Sequence, residues 1–460
     1  MRNCCGSHGK VVHNMAEQIK ENKMGTAPMI PLILKMSLPV MFSMLIQSLY
    51  NVVDSIFVSN YSQKAFTAVN FAFPVQMLMI AVAVGTGVGI NSLVSRRLGE
   101  KRNDEADSAA SHGVVLGIIS WIVFALAGLF LTKSFFNMYT DDKVIIENGI
   151  AYLSTVMIFS FGVFVEINIE KSIQATGNMI FPMLFQLTGA VANIILDPIF
   201  IFGLKMGAFG AAVATVLGQI LSMIFSIIVI IYGNHYIHIS LRGFRFNGKT
   251  VKNIYAVGFP AIIMQSIGSF MVSILNMILI NISQAAVDVL GIYFKLQSFV
   301  FMPVFGLTQG LLPIIGYNFG ARNKKRMISA VKIGCVIGVI IMAAGTALFQ
   351  LIPDKLIAIY NYSDDMMRIG VRALRTISLC FIPAALGIVF SSFFQGVGSG
   401  VRSLFISVLR QLVIIAPVAY YLSQFGEFAV WYAFPIAEAV SLCASILMFA
   451  HLYHRQIKNI

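Results

Sequence analysis

The sequence predicts an all-α polytopic membrane protein: twelve transmembrane helices in two parallel-repeat six-helix bundles, with both termini cytoplasmic. Three observations carry that prediction. The first is composition. Of the 460 residues 58% are hydrophobic and only 11% charged, whereas about a quarter of a soluble domain is charged. The second is run length. Stretches free of Asp, Glu, Lys and Arg cover 65–95, 206–241, 253–287, 296–321, 333–353 and 376–401. Each exceeds the roughly 20 residues a helix needs to cross the hydrocarbon core, and a soluble enzyme built on buried helices has no use for so many. The third is self-similarity. Shifted by 221 residues, the chain matches itself without a gap: Pro39 falls on Pro260, Gly85 on Gly306, Gly99 on Gly320, Tyr139 on Tyr360, Gly149 on Gly370, Gln174 on Gln395 and Gly177 on Gly398. Apolar composition alone does not align glycine, proline and tyrosine at a fixed offset, and the period is far longer than a solenoid's.

Taken in order, 1–30 is a polar cytoplasmic tail. It shows no signal peptide, because the first long apolar run lacks a small-residue cleavage signature after a short core. Helices expected at 31–57, 65–94, 108–132, 143–169, 179–203 and 209–233 form a first lobe, 31–233. A connector, 234–251, carries His235, His238, Arg242, Arg245 and Lys249, and reads as a plain link or as a segment lying on the inner leaflet. Helices at 252–281, 286–316, 328–352, 367–395, 403–423 and 429–453 form a second lobe, 252–453, before a tail at 454–460. An even number of helices separates equivalent positions, so the repeats are parallel rather than inverted.

Loop charge sets the orientation. Even-numbered loops hold Arg96, Arg97, Lys101 and Arg102; Lys171; Arg242, Arg245 and Lys249; Arg322, Lys324, Lys325 and Arg326; and Arg402, with Arg455 and Lys458 in the tail. Odd-numbered loops hold Lys64, Lys133, Lys205 and Lys355 singly, among Asp141, Asp142, Asp354, Asp364, Asp365 and Glu427. The positive-inside rule then puts the basic loops and both termini in the cytoplasm. The formal charge of +13 is explained by basic loops beside anionic lipid, and no nucleic-acid partner is expected. Cys4, Cys5, Cys335, Cys380 and Cys443 have neither zinc nor disulfide spacing. No nucleophile–base or metal set accompanies them or His112, so no enzyme and no cofactor is expected. Gly85-Thr86-Gly87-Val88-Gly89 favours close helix contact. It is no nucleotide loop, since no strand precedes it and no Gly-Lys-Ser/Thr follows.

Polar residues within the spans need a reason to be there, because intramembrane charge is costly and tends to mark ion paths. Asp54 lies near the outer end of the first helix. Asp197 lies near the outer end of the fifth, with Asn193 four residues earlier on the same face. Pro198 leaves the Ile194 carbonyl without its helical donor. Thr215, early in the sixth helix, reaches the same level. Two carboxylates with amide and hydroxyl oxygens share a proton or hold a small hard cation such as Na+. The competing reading puts both aspartates in the outer headgroup zone, where charge is cheap; the duplicate positions, Leu275 and Val418, carry no such face. Gln47, Glu166, Lys295 and Glu438 are candidates for lining a substrate cavity. For the three charged residues the alternative is structural pairing or snorkelling, as for Arg410. The 24 Met and 37 Phe offer an adaptable apolar wall.

These residues resemble the bacterial branch of the multidrug and toxic compound extrusion (MATE) family over about 30–455. The resemblance rests on Pro39 with Asp54, on Arg96-Arg97-Leu98-Gly99-Glu100 repeated as Asn318-Phe319-Gly320-Ala321-Arg322, and on Gln174-Ala175-Thr176-Gly177-Asn178 with Gln395-Gly396-Val397-Gly398. Its most specific part is Asp197-Pro198 followed by Gly207-Ala208-Phe209-Gly210-Ala211-Ala212-Val213-Ala214-Thr215. It implies a cation-coupled antiporter in the plasma membrane that expels organic, often cationic or amphipathic drugs, acting as a monomer through two lobes around a cleft. It also implies that Asp54, Asn193, Asp197 and Thr215 form the first-lobe site for H+ or Na+. Some members carry a seventh-helix glutamate where this chain has Gly268, so coupling is expected to rest on the first lobe alone. The alternative is a flippase of lipids or lipid-linked saccharides, which calls for a strongly cationic cavity.

Overall fold

The computed structural model describes residues 22–233, 236–240, 242, 244–360 and 363–458, apart from the side chains of 50–56 and 59. Asp54 is among the latter: its backbone is helical, and its side chain lies outside the described part, as do Cys4, Cys5 and His235. All regular structure among the described residues is helical. Ten helices are long and apolar enough to span a membrane, and two bent pairs bring the spans to 12. The chain is an all-α polytopic membrane protein.

The spans are α1 (Met29–Tyr61), α2 (Gln63–Gly99), α3 (Asn103–Phe130), α4 (Lys143–Ile158 and Phe161–Ala175), α5 (Ile180–Gly203) and α6 (Gly207–Tyr232). The second half supplies α7 (Gly248–Leu279), α8 (Gln284–Gly320), α9 (Lys324–Leu351), α10 (Asp364–Ser378 and Phe381–Gly396), α11 (Gly400–Ser423) and α12 (Ala429–Ile457).

The expected continuous helices at 143–169 and 367–395 are each broken, by 43° in α4 and 48° in α10. At the breaks the backbone tightens to three-residue bonds: Ser160 N–H reaches the Met157 carbonyl at 3.4 Å and Cys380 N–H the Ile377 carbonyl at 2.9 Å. The Ser160 hydroxyl takes the Met157 carbonyl too, at 2.8 Å, which favours bending. In α4 both arms are apolar, so hydropathy does not show the break; in α10 the break falls where an arm carrying Asp364, Asp365, Arg368, Arg372 and Arg375 meets a charge-free one.

The duplication extends to local geometry. Ser62 caps α2 by accepting from Ala65 N–H, and Ser283 caps α8 by accepting from Ala286 N–H. Asp142 caps α4 and Ser363 caps α10 in the same register. The Lys64 ammonium, 2.8 Å away, holds the Asp142 carboxyl below the usual carboxylate range. Short helices Thr132–Asn137 and Pro353–Ala358 repeat, as do the left-handed residues Lys101 (φ 58°) and Arg322 (φ 55°). Each of these pairs lies 221 residues apart.

The two halves share one apolar core at the end carrying the basic loops. There Ile33, Met36, Ile90 and Leu93 pack with Leu307, Leu311 and Ile314. At the opposite end the cores are separate: Ala65, Phe136, Tyr152 and Ile201 in the first half, Tyr293, Phe301, Phe349 and Trp431 in the second. The joint end is built by α2 against α7 and α8, and α1 against α8. A Cβ at Gly99 would overlap the Tyr317 carbonyl oxygen, and one at Gly320 the Arg96 carbonyl oxygen. These reciprocal contacts are the duplication expressed as packing, and only glycine allows backbones this close. Ser92 donates to the Gln395 carbonyl (2.5 Å) and Ser37 to that of Leu307 (3.3 Å), again across the halves.

Candidate functional site

Helices α5 and α6 approach closely because both are glycine-lined at the contact: a Cβ at Gly218 would lie 2.8 Å from the Gly189 carbonyl oxygen. That approach lets Asn193 and Thr215 meet. With the Asn193 amide turned so that both ends find partners, its nitrogen donates to Asp197 Oδ2 at 3.0 Å and its oxygen accepts from the Thr215 hydroxyl at 3.3 Å. The opposite orientation gives the nitrogen both contacts, at 3.5 and 3.3 Å, and leaves the amide oxygen facing acceptors. Asp197 is 0% and Asn193 3% exposed. Asp197 is therefore buried within the protein rather than exposed at its surface.

Directly after Asp197 the helix changes pitch. Pro198 has no N–H, and Ile199–Gly203 forms a π-helical turn in which Leu204 N–H reaches the Ile199 carbonyl at 2.8 Å. Helix α1 packs on α5 and α6. Its C-terminal end is pinned there: Phe57 meets Phe202 edge-on and Tyr61 meets it at a tilt, each 6.2 Å between centroids, and the Tyr61 hydroxyl donates to the Lys205 carbonyl at 3.2 Å. Asp54 sits on α1 three residues before Phe57, so its backbone runs beside this assembly.

The donor set offers a carboxylate, an amide and a hydroxyl. Such oxygens suit a proton or a hard monovalent ion, without a nitrogen or sulfur ligand that would favour a transition metal. Among the described residues no group of three or more His, Cys, Asp or Glu is placed to hold a metal.

The other candidates fall elsewhere. Gln47 is exposed on α1. Lys295 is exposed on α8, its Nζ 5.6 Å from the Tyr360 ring centroid, in a groove of ≈ 430 Å³ that also involves Asn276, Asp288 and Met366. Glu438 accepts from Arg410 at 3.0 Å, with 12% of its side chain exposed. Arg410, expected to snorkel, pairs with this carboxylate on the neighbouring helix while 24% of its side chain stays exposed.

Glu166, on α4, is 7% exposed. Lys171, read from the sequence as a loop cation, is also inside α4 and only 5% exposed. Its ammonium donates to Glu170 Oε1 (3.0 Å), Gln174 Oε1 (3.1 Å) and, from the other half, Gln309 Oε1 (2.6 Å). Sequence reasoning missed this network. Its signal was an acid and a base adjacent at the end of an apolar run, which looks like a helix end meeting solvent.

With this geometry established, comparison with known proteins identifies the class. The MatE family model matches residues 39–199 and again 260–421. The chain belongs to the multidrug and toxic compound extrusion (MatE) family of membrane transporters. Two matched stretches in one chain restate the internal duplication. The chain is 25% identical to the multidrug export protein MepA of Staphylococcus aureus (strain MSSA476) over 425 residues, 92% of this chain and 94% of that protein. It is 26% identical to MepA of Staphylococcus haemolyticus (strain JCSC1435) over 424 residues, 90% of this chain and 91% of that one. Its fold superposes with a TM-score of 0.91 on an outward-facing multidrug resistance MATE transporter of the MOP superfamily, 26% identical, covering 96% of this chain and 100% of the other. It also superposes, at 0.89 and 27% identity, on a MOP superfamily transporter from Pyrococcus furiosus Vc1 (DSM3638), covering 96% and 99%. That structure is described as having a binding pocket of reverse polarity that suggests a different function. The protein is a multi-pass plasma-membrane transporter, not an enzyme.

Proposed function

We propose that the chain is a secondary active antiporter that exports organic, especially cationic or amphipathic, compounds in exchange for H+ or Na+. Its working parts are the lobes 31–233 and 252–453, joined by the connector 234–251, with both termini cytoplasmic. The observation that carries the reading is Asp197, fully buried in a spanning helix and hydrogen-bonded to Asn193 beside Thr215. An ionisable carboxyl buried in a span is costly to keep charged and commonly marks an ion or proton path.

In the mechanism, alternating access moves a cleft between two sides of the membrane. Separate outer cores and a joint core at the basic end suit an outward-open state. From outside, Asp197, with Asn193, Thr215 and Asp54, takes up the coupling ion. Neutralising Asp197 changes what Asn193 donates to, and the strain passes into the adjoining Pro198 and π turn. That rearrangement of α5 against α1 weakens drug binding and releases drug outward. On the return the ion leaves to the cytoplasm and drug is loaded there. Of the four cavity candidates, Gln47 and Lys295 keep exposed side chains suited to meeting substrate; Glu166 and Glu438 do not. Relatives named multidrug export proteins support the substrate class.

The test is Asp197→Asn, nearly isosteric and unable to titrate. Drug efflux from cells should fall to the vector background while membrane yield and thermal unfolding stay near wild type. Undiminished efflux by that variant overturns the assignment.

A further inference from the structure

We propose that Glu166, Glu170 and Lys171 form a second proton-binding site, separate from Asp197, that latches the closed inner seal through Gln309. It rests on the alternating-access part of the function proposed above, and on nothing about the Asp197 site.

Lys171 is the one charged residue of α4 whose ammonium reaches across to the other half, at 2.6 Å from Gln309 Oε1 on α8. Gln309 is held in turn by Nε2 against Met44 Sδ on α1, at 3.7 Å. The lysine stem is wedged where a Cβ at Gly87 would come within 2.5 Å of its Cγ. The Gly85-Thr86-Gly87-Val88-Gly89 run thus leaves room for a cation as well as for helix packing. Lys171 stands at the joint end of the molecule, so opening that end requires its bond to Gln309 to break.

Two carboxyl groups face this one ammonium, and only Glu170 is bonded to it. Glu170 is well supplied: Oε1 accepts from Lys171 and from Gln174 (2.6 Å), and Oε2 from Gln186 (3.1 Å). Glu166, one turn earlier on the same face, is 7% exposed, and its Oε1 has no hydrogen-bond partner. The charged groups facing it are Glu170 and Lys171. From the helices packed around α4, α6 presents the Ser222 hydroxyl, α5 the Gln186 amide and α8 the Gln309 amide; α2 meets it at Gly87 and α3 at Gly117. One cation balances one carboxylate, so the cluster is neutral when the other acid holds a proton. That proton comes from water and returns to water, an O–H bond forming and breaking on one carboxyl, with no further reactant.

With the proton bound, Lys171 has a donor to spare for Gln309 and the seal holds. When the proton leaves, a second negative charge draws the ammonium back toward α4 and off Gln309. Opening the seal therefore releases a proton and closing it takes one up.

The experiment places spin labels at D104C and K325C, exposed duplicate positions in the first turns of α3 and α9 at the basic end, in protein whose native cysteines are replaced by serine. The distance distribution is read in lipid nanodiscs from acid to alkaline pH, without drug. The wild-type seal should open as pH rises. In Glu166→Gln and Glu170→Gln that step should vanish or move by at least about tenfold in proton concentration. Gln309→Leu, which touches neither acid, should lower the closed population by about tenfold at acid pH. Both glutamine variants keeping the wild-type response overturns the proposal, as does an unchanged closed population in Gln309→Leu or a wild-type seal shut at every pH. In Asp197→Asn the step should remain, so failure of the antiport reading is seen separately, as transport that does not need Asp197.

Discussion

Asn193 hydrogen-bonds Asp197 and faces Thr215, and this trio was legible in the sequence. A four-residue spacing puts the first two on one helical face, and a polar residue early in the next helix meets them if the loop is short. Lys171 was not legible, because a charge next to the end of an apolar run is usually solvated and only tertiary packing brings Gln309 over it. Glu438 and Arg410 were visible as polar residues but not as partners, since they are 28 positions apart on different helices. Removing one buried partner of a polar contact costs on the order of 1–3 kcal/mol. Asn193→Ala should accordingly raise the ion concentration for half-maximal drug release by about tenfold or more, measured on purified protein, while drug affinity without the ion stays put. Arg410→Met should lower stability by up to about 3–5 kcal/mol, seen as a lower melting temperature. Adding Glu438→Met should recover much of that loss, because the pair, not either charge, is what the core accommodates.

At the level of elements, helix positions follow from hydropathy, and the two bends and the π turns at Ile199–Gly203, Leu409–Ile414 and Tyr453–Ile457 do not. The bends at Ser160 and Cys380 are accompanied by local three-residue hydrogen bonds, which hydropathy does not report. The π turn at Ile199–Gly203 is the exception, since Pro198 announced a defect in the ladder there. Pro198→Ala restores a donor for the Ile194 carbonyl and should raise thermal stability while slowing ion-driven drug release. A variant that exchanges drug at the wild-type rate would show the turn to be structural only. At the crossing of α2 and α8, Gly99→Val forces the Tyr317 backbone away. Overpacking of this kind costs about 1–3 kcal/mol. Labels at D104C and K325C should then report a larger open fraction at every pH.

In the whole molecule, a single offset of 221 residues recurs in caps, short helices, left-handed turns and glycine contacts, so the duplication read from seven matched residues is a property of the structure. What the sequence did not contain is how the halves meet. They share an apolar core at one end and keep separate cores at the other, an asymmetry of packing that composition alone does not encode. The basic loops fall at the shared end, and labelling of D104C in intact cells should require a permeable reagent if that end is cytoplasmic. The account as a whole turns on coupling. The most direct measurement is uptake of an organic cation into inside-out proteoliposomes, with proton and sodium gradients imposed separately. The account predicts accumulation under one of the gradients, absent in Asp54→Asn and Asp197→Asn. No accumulation under either gradient by folded protein, together with movement of a polyprenyl-linked saccharide across the bilayer, would contradict it in favour of a flippase.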